Sequence, residues 1–414
     1  MILVGAALKG RADGLEVSLA ELARLVETAG GVVAGTVFQR VERWNPATLI
    51  GAGKVEEVAA AARRERARTI VFDDELSPAQ QKALEAATQA KIIDRTRLIL
   101  DIFARRARTK EGELQVELAQ LSYLLPRLTG AWRGFSQQVG GIGTRGPGER
   151  KLEYERRHIS RRIEYLKRGI TRMEREREVQ RRRRRSVPVP QIALLGYTNV
   201  GKSTLLNALT REDAVYADDK LFATLDPTTR RVRLPRGGWA VFTDTVGFIQ
   251  KLPTALVAAF RSTLEEAKLA DCLVHVIDAS APDWHRQRAA VEEVLKDLGI
   301  ADLPRVEVLN KADLAHPARL HELGMLVPGA LPLSARRKSG MTALLTRIEE
   351  VLGRRWVLRE VVLDAARAGL AQEAYRSAQV LDEAWEGGRL RLRLRVTPEN
   401  WARLTRRFKP AAAI

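Results

Sequence analysis

Cysteine is nearly missing: Cys272 is the only one in 414 residues, too few for a disulfide framework. No apolar run reaches the ~18 residues that a membrane-spanning helix needs, so no span is expected. The five histidines, His158, His275, His285, His316 and His321, stand at spacings that fit no metal-ligand pattern, and a zinc site is not expected. No nucleophile–base–acid triad is visible. The opening MILVGAALKG lacks the basic leader and small-residue cleavage site of a secretion signal and reads as a first strand. A cytoplasmic location is the expectation, with partial membrane association left open.

Positive charge is abundant. The formal net charge is +19 and the isoelectric point lies near 10.5, which points to a polyanionic partner. Nucleic acid or a ribosome comes first, an anionic membrane surface second. The length predicts about two to four domains, and 45% hydrophobic residues suffice for packed cores.

Four segments follow from the patterning, and together they predict an α/β multidomain chain. Residues 1–100 alternate strand-like runs (ILVGAAL, GVVAGTVFQRV, TIVFDD, AKIID) with helical patterns, which implies a small, mostly parallel α/β domain. Ser18 is expected to cap the first helix and Ser77, followed by Pro78, a later one. Residues 101–186 carry two apolar stripes, Leu114–Leu118–Leu121–Leu125–Leu128 and Leu152–Ile159–Ile163–Leu166–Ile170–Met173, which predict an antiparallel helical hairpin. Its second arm is thick with arginine and ends in RRRRR (181–185); with the stripe facing the partner helix, the arginines face outward and suit phosphate. Residues 187–355 read as a further, doubly wound α/β domain. Residues 356–414 read as a small α+β domain in which LRLRLRV (390–396) alternates as a half-buried strand after Gly387–Gly388.

The connector between the two hairpin arms, about residues 129–151, holds six glycines from Gly134 to Gly148. Trp132, Arg133, Phe135 and Arg145 lie among Gly140, Gly141, Gly143, Gly146 and Gly148. Glycines let backbone approach a crowded surface, aromatics stack on unpaired bases and arginines hold phosphate, so the tip is a candidate for insertion into structured RNA.

The third segment carries the chemistry. Gly196-Tyr197-Thr198-Asn199-Val200-Gly201-Lys202-Ser203-Thr204 fits GxxxxGKS between a buried strand and a helical run. Its backbone N–H groups can wrap phosphates, Lys202 can neutralise the β- and γ-phosphates, and Ser203 can give Mg²⁺ a hydroxyl ligand. About forty residues on, VFTDTVG ends a strand with Asp244, placed to hold Mg²⁺, and Gly247, whose N–H can meet a γ-phosphate. VEVLNKAD ends another strand with Asn310, Lys311 and Asp313. Asp313 can accept both N–H groups on guanine's edge, a pattern that adenine lacks, so GTP and GDP are the expected nucleotides. Ser334 and Ala335 follow, where a backbone N–H can reach guanine O6. Thr224, Thr228 and Thr229 are each candidates for the switch threonine on Mg²⁺.

The P-loop GYTNVGKST, FATLDPT, DTVGF, NKAD and the loop GGIGTRGPGE together resemble the HflX family of bacterial GTPases over nearly the whole chain, most weakly over its last sixty residues. The resemblance implies a factor that binds the large ribosomal subunit and its rRNA and splits stalled or idle ribosomes, with the hairpin tip entering near the peptidyl-transferase centre. It selects Thr224 as the switch threonine by alignment with Obg-type GTPases. Phe248 stands where Ras-like enzymes place a water-orienting glutamine, so hydrolysis is expected to need outside stimulation. Asn199 resembles the asparagine of potassium-activated GTPases, which implies K⁺ near the phosphates. LIGAGKVEE (49–57) reads as a glycine turn before a helix; relatives have been linked to ATP binding and RNA unwinding through this region, which keeps Gly51, Gly53 and Lys54 as a second nucleotide candidate. An ATP-driven RNA-remodelling enzyme and a regulator of a membrane protease complex are the competing readings. The chain is expected to be a monomer.

Overall fold

A computed structural model describes residues 1–10, 14–131, 147–185, 189–210, 221–222, 228–251, 267–353 and 355–408. Two compact units emerge. The first carries the chain as far as Met173 together with Leu221, Phe222, Gln250 and Lys251; the second carries the rest from Glu174.

The first unit opens with β1 (Ile2–Leu8), α1 (Leu15–Thr28), β2 (Gly35–Val41), α2 (Ala52–Arg64), β3 (Thr69–Phe72), α3 (Pro78–Thr88), β4 (Lys91–Asp94) and α4 (Arg95–Arg106). The sheet is parallel throughout, in the order β2-β1-β3-β4. Its central strand is apolar on both faces, as a parallel sheet covered on both sides requires. Ile2, Val4 and Ala6 pack with Val55, Val58 and Leu84 of α2 and α3. Gly5 faces the other way, where a side chain would collide with Leu15 and Leu19 of α1 at 2.9 Å.

Ser77 caps α3 in a full capping box with Gln80, and Pro78 takes the first turn. Ser18 does not cap: α1 starts earlier, after Gly14. Ser18 is buried inside the helix, where its hydroxyl donates to Asp73 Oδ2 at 2.7 Å. A buried carboxylate needs donors, and that need outweighed the capping preference.

The hairpin follows as α5 (Lys110–Ala131) and α6 (Pro147–Arg185). Val116, Ala119 and Tyr123 form the most buried stripe of α5, which packs on α3 and α4, while the predicted leucines are only half-buried. Leu114 lies against Gly169 of α6, and Arg162 grips Glu117 through two hydrogen bonds of 2.7 and 2.8 Å. Leu166 is fully buried on α6. Basic residues outnumber acidic ones more than two to one along this helix. Trp132, Arg133, Phe135, Gly140, Gly141, Gly143, Arg145 and Gly146 lie outside the described residues; Gly148 falls in the first turn of α6.

The second unit contains β5 (Gln191–Gly196), α7 (Lys202–Thr210), β6 (Thr228–Arg233), β7 (Trp239–Asp244), β8 (Cys272–Asp278), α8 (Trp284–Asp297), β9 (Arg305–Asn310), α9 (Pro317–Leu326), β10 (Leu331–Pro332) and α10 (Met341–Leu352). The strand order is β10-β9-β8-β5-β7-β6, with β6 alone antiparallel to its neighbour. Three antiparallel strands in the order β11 (Val357–Asp364), β13 (Arg389–Val396) and β12 (Gln379–Glu386) complete it, with α11 (Ala371–Ser377) and α12 (Pro398–Phe408). Leu390, Leu392, Leu394 and Val396 point into that small core while Arg389, Arg391 and Arg393 are exposed. Gly387 and Gly388 both take positive φ in the two-residue turn of the β12–β13 hairpin. Among the described residues no helix is long and apolar enough to cross a membrane.

Candidate nucleotide site

The motifs gather at the carboxyl ends of β5, β7 and β9, where open α/β sheets hold their ligands. Gly196 ends β5 and Lys202 begins α7, so the P-loop lies at a helix N-terminus. Its glycines are required by space as well as by φ. At Gly196 (φ 151°) a Cβ would sit 2.4 Å from the Val276 carbonyl oxygen, and at Gly201 (φ 91°) 2.4 Å from Asn310 Nδ2. Asn199 also takes a positive φ of 59°.

Lys202 is buried, and its ammonium donates to the carbonyls of Gly196 at 3.1 Å and Tyr197 at 2.8 Å. Burial pushes it down to about 8, and the charge of Asp244 opposes that fall. Ser203 Oγ donates to Asp244 Oδ2 at 2.6 Å. A hydroxyl and a fully buried carboxylate thus converge beside an ammonium, a donor set that fits a hydrated Mg²⁺. Thr224 lies outside the described residues, whereas Thr228 and Thr229 begin β6.

Asn310 ties two loops together. Its Nδ2 donates to Val200 O at 2.7 Å, and its Oδ1 accepts the Ala335 N–H at 3.0 Å. The NKxD residue is therefore a brace between the P-loop and the Ser334–Ala335 turn. The Ser334 hydroxyl beside it holds the Asp313 carboxyl below its usual range. Lys311 pairs with Asp278 at 2.7 Å. Asp278, which sequence reasoning missed, ends β8 opposite Asn310; its signal was its place at the end of the buried run CLVHVID.

The segment after Asp244, here called switch II, lies on the P-loop. The Thr198 N–H donates to Phe248 O at 2.7 Å and the Phe248 N–H to Gly196 O at 3.1 Å. Thr245 Oγ1 locks the segment's start to Leu194 O at 2.7 Å. The Phe248 side chain is buried.

Elsewhere, His275, Glu292 and Glu307 are the group of possible metal ligands among the described residues. Arg305 pairs with Glu292 at 2.7 Å and Arg288 approaches Glu307 at 3.5 Å. These arginines already compensate the carboxylate charge, so the cluster reads as an ion-pair network.

Sheet order, P-loop, Asp244 and the Asn310–Asp313 turn define a P-loop GTPase. Residues 16–104 match the family described as GTP-binding GTPase N-terminal, 106–184 the GTP-binding GTPase Middle Region, and 191–311 the 50S ribosome-binding GTPase family. The chain is 51% identical over 341 residues to GTPase HflX of Caldanaerobacter subterraneus, covering 81% of this chain and 77% of that protein. It is 40% identical over 390 residues to GTPase HflX of Escherichia coli, covering 93% and 91%. A solved GTP-binding protein from Sulfolobus solfataricus, in complex with GDP, is 23% identical with a TM-score of 0.44, over 85% of this chain and 99% of that one. The chain belongs to the HflX family of GTPases.

Proposed function

We propose that this GTPase acts on the large ribosomal subunit in its GTP form, splits or rescues stalled or idle ribosomes, and is reset by hydrolysis. The observation that carries the reading is the α5–α6 hairpin. At 1.5 Å per residue the 39 residues of α6 span about 60 Å, and arginine dominates their charge. A rod of that length and sign is suited to reach along RNA phosphates. The glycine–aromatic connector from Trp132 to Gly148 then serves as the RNA-contacting tip.

In the nucleotide site Lys202 neutralises the β- and γ-phosphates, and the P-loop from Tyr197 to Thr204 wraps them at the N-terminus of α7. Asp313 accepts from guanine, Lys311 flanks the base, and the Ser334–Ala335 turn, whose N–H groups are held by Ser339 O and Asn310 Oδ1, lies beside it. Ser203, Asp244 and Thr224 are the residues that would hold Mg²⁺, which when bound screens the phosphate charge. Asn199, already in the left-handed region, is the residue that would face K⁺. Phe248 has no group that can orient a water, so stimulation comes from outside the chain.

The test is GTP hydrolysis in KCl with and without purified large subunits. Strong stimulation that disappears when Gly140–Gly148 is shortened supports the reading. A subunit-independent rate already near ~1 s⁻¹ sinks the stimulation argument. Equal rates in KCl and NaCl at matched ionic strength remove the K⁺ role.

A further inference from the structure

The three-stranded sheet meets the nucleotide-binding sheet through a buried carboxylate. Glu349 lies on α10, and its side chain is 3% exposed. Its Oε1 accepts from Arg395 of β13, and its Oε2 accepts the Arg236 N–H at 3.1 Å, in the turn between β6 and β7. Gln379, which begins β12, adds a second link: its Nε2 donates to the Trp239 carbonyl at 2.9 Å, and its Oε1 accepts from Arg395 at 3.4 Å. Gly238, at φ 75°, fits here only without a side chain, since a Cβ would lie 2.5 Å from Gln379 Oε1 and from Leu381 Cδ2. Every residue of this bolt belongs to the second unit. A buried ion pair adds little net stability, because desolvation cancels much of the attraction, yet it admits few geometries.

What the bolt holds is the closed end of a hairpin. Leu234 and Gly238 close the turn, and β6 and β7 pair from Arg233–Trp239 to Thr228–Asp244. The open end carries Asp244, whose carboxylate accepts from Ser203 Oγ, and the Thr245–Phe248 segment that lies on the P-loop. β7 rises about 17 Å from Trp239 to Asp244. A hydrogen-bonded ribbon of that length transmits a shift along its axis, because fully extended backbone cannot stretch to absorb it. β6 is the edge strand, so no further strand of the sheet restrains the hairpin on that side. On the other side β7 runs parallel to β5, with Val241 level with Gln191 and Asp244 level with Leu194. The contacts at the turn help to set where along β5 the hairpin, and with it Asp244, comes to rest.

We infer that Glu349, Arg395 and Gln379 are positioning residues: through the β6–β7 hairpin they hold Asp244 in register for Mg²⁺, so that the C-terminal sheet tunes how strongly the metal secures the nucleotide. Coupling is reciprocal: a load that shifts the C-terminal sheet loosens the metal, and a change that moves Asp244 strains the turn. The inference rests on the assignment of Asp244 to Mg²⁺ proposed above and is independent of the ribosome reading.

The test is release of fluorescent GDP from the full chain, without ribosomes, across a Mg²⁺ titration, with GDP affinity in EDTA measured alongside. Glu349→Gln alone strands the buried Arg395 charge and endangers folding. The pair is therefore removed together, as Glu349→Gln with Arg395→Met, an exchange that leaves no charge unpaired. That double variant is expected to need about 5- to 10-fold more Mg²⁺ for half-maximal slowing of release, the low end of an ordinary coupling. Its GDP affinity in EDTA is expected to hold, because the P-loop and the Asn310–Asp313 turn are untouched. Gly238→Ala, which wedges the turn off Gln379, is expected to move the Mg²⁺ midpoint the same way without altering the C-terminal core. Arg391→Gln, on the exposed face of the same small sheet, is expected to keep the wild-type midpoint. A midpoint unchanged in the double variant, or in Gly238→Ala should the double variant not fold, overturns the inference. So does a GDP affinity in EDTA that falls by the same factor, which a merely structural role would give. If Mg²⁺ fails to slow release even from the wild-type chain, the assignment of Asp244 is wrong and the inference falls with it, a result distinct from the other two.

Discussion

After β2 the chain reaches α2 through Leu49–Gly51, with Gly53 and Lys54 in the helix's first turn, and after β5 it passes through Gly196–Gly201 into α7, which Lys202 begins. Both junctions read strand, glycines, lysine, helix. In the second, Gly196 and Gly201 take positive φ, and neither has room for a Cβ. Lys202 is buried on carbonyls beside Asp244. In the first, Gly51 has φ −66°, and its N–H is already taken by Gln39 Oε1 at 3.0 Å. A Cβ at Gly53 would meet nothing within 4 Å, and Lys54 is paired with Glu57 at 2.5 Å. Glycine and lysine near a helix start are thus a weak sign of a phosphate site; crowding around the glycines and a lysine buried on backbone carbonyls are the stronger sign.

The sharpest way to break this comparison is to remove both lysines in turn. Lys202→Ala is expected to weaken GDP binding by about 100-fold or more, because a buried charge contact to phosphate is lost. Lys54→Ala is expected to leave GDP binding unchanged. The same pair of variants, read by ATP binding, measures the first junction directly: ATP binding that survives Lys202→Ala and is lost in Lys54→Ala would make the Gly51–Lys54 turn a second nucleotide site.

Next in size is Gly201→Ala. A methyl group 2.4 Å from Asn310 Nδ2 must displace the amide that braces Val200 and Ala335, and the residue keeps an unfavourable φ. A loss of about 2–3 kcal/mol in stability or its equivalent in GDP affinity is expected, measured by thermal unfolding and by titration.

The P-loop, Asp244 and the Asn310–Asp313 turn were legible because chemistry restricts which side chains can do those jobs, and short local spacing carries the signal. The alternation of LRLRLRV gave its strand for the same local reason. Ser18 was misread because its partner, Asp73, is 55 residues away. The leucine spacing of α5 predicts one buried stripe, but α5 packs on α3 and α4 as well as on α6, so two faces compete and periodicity alone does not rank them. The Lys251–Asp73 contact spans 178 residues and leaves no local trace at all. Asp278 falls between these cases, being visible as a strand-end carboxylate but not as the partner of Lys311.

A smaller effect comes from pH. Burial holds Lys202 at about 8 in the nucleotide-free chain, below the roughly 10.4 of a free lysine. A bound diphosphate favours the charged ammonium, so above pH 8 binding must take up a proton that the free site has released. GDP affinity is expected to be level below pH 8 and about tenfold weaker at pH 9 than at pH 7. The stability of the nucleotide-free chain moves the opposite way. Between about 8 and 10.4 the unfolded chain holds the proton and the folded one does not, so this residue's contribution to stability rises with pH. Titrations at constant ionic strength separate the two, and a GDP affinity that is flat from pH 7 to 9 would show that Lys202 keeps its proton.

The smallest expected effect is the most informative about the first junction. Gly53 lies in the first turn of α2, its Cβ position is open, and its φ is an ordinary one. Alanine there removes backbone freedom from the unfolded chain and costs no contact in the folded one. Gly53→Ala is therefore expected to stabilise the chain by about 0.5–1 kcal/mol, raising the thermal midpoint slightly. A phosphate-binding glycine would behave otherwise, because a methyl group would stand where the ligand approaches the backbone. If Gly53→Ala raises stability and leaves ATP and GDP binding untouched, the turn is a helix start and nothing more. If it lowers ATP binding while stability rises, the open space beside Gly53 is a ligand's place.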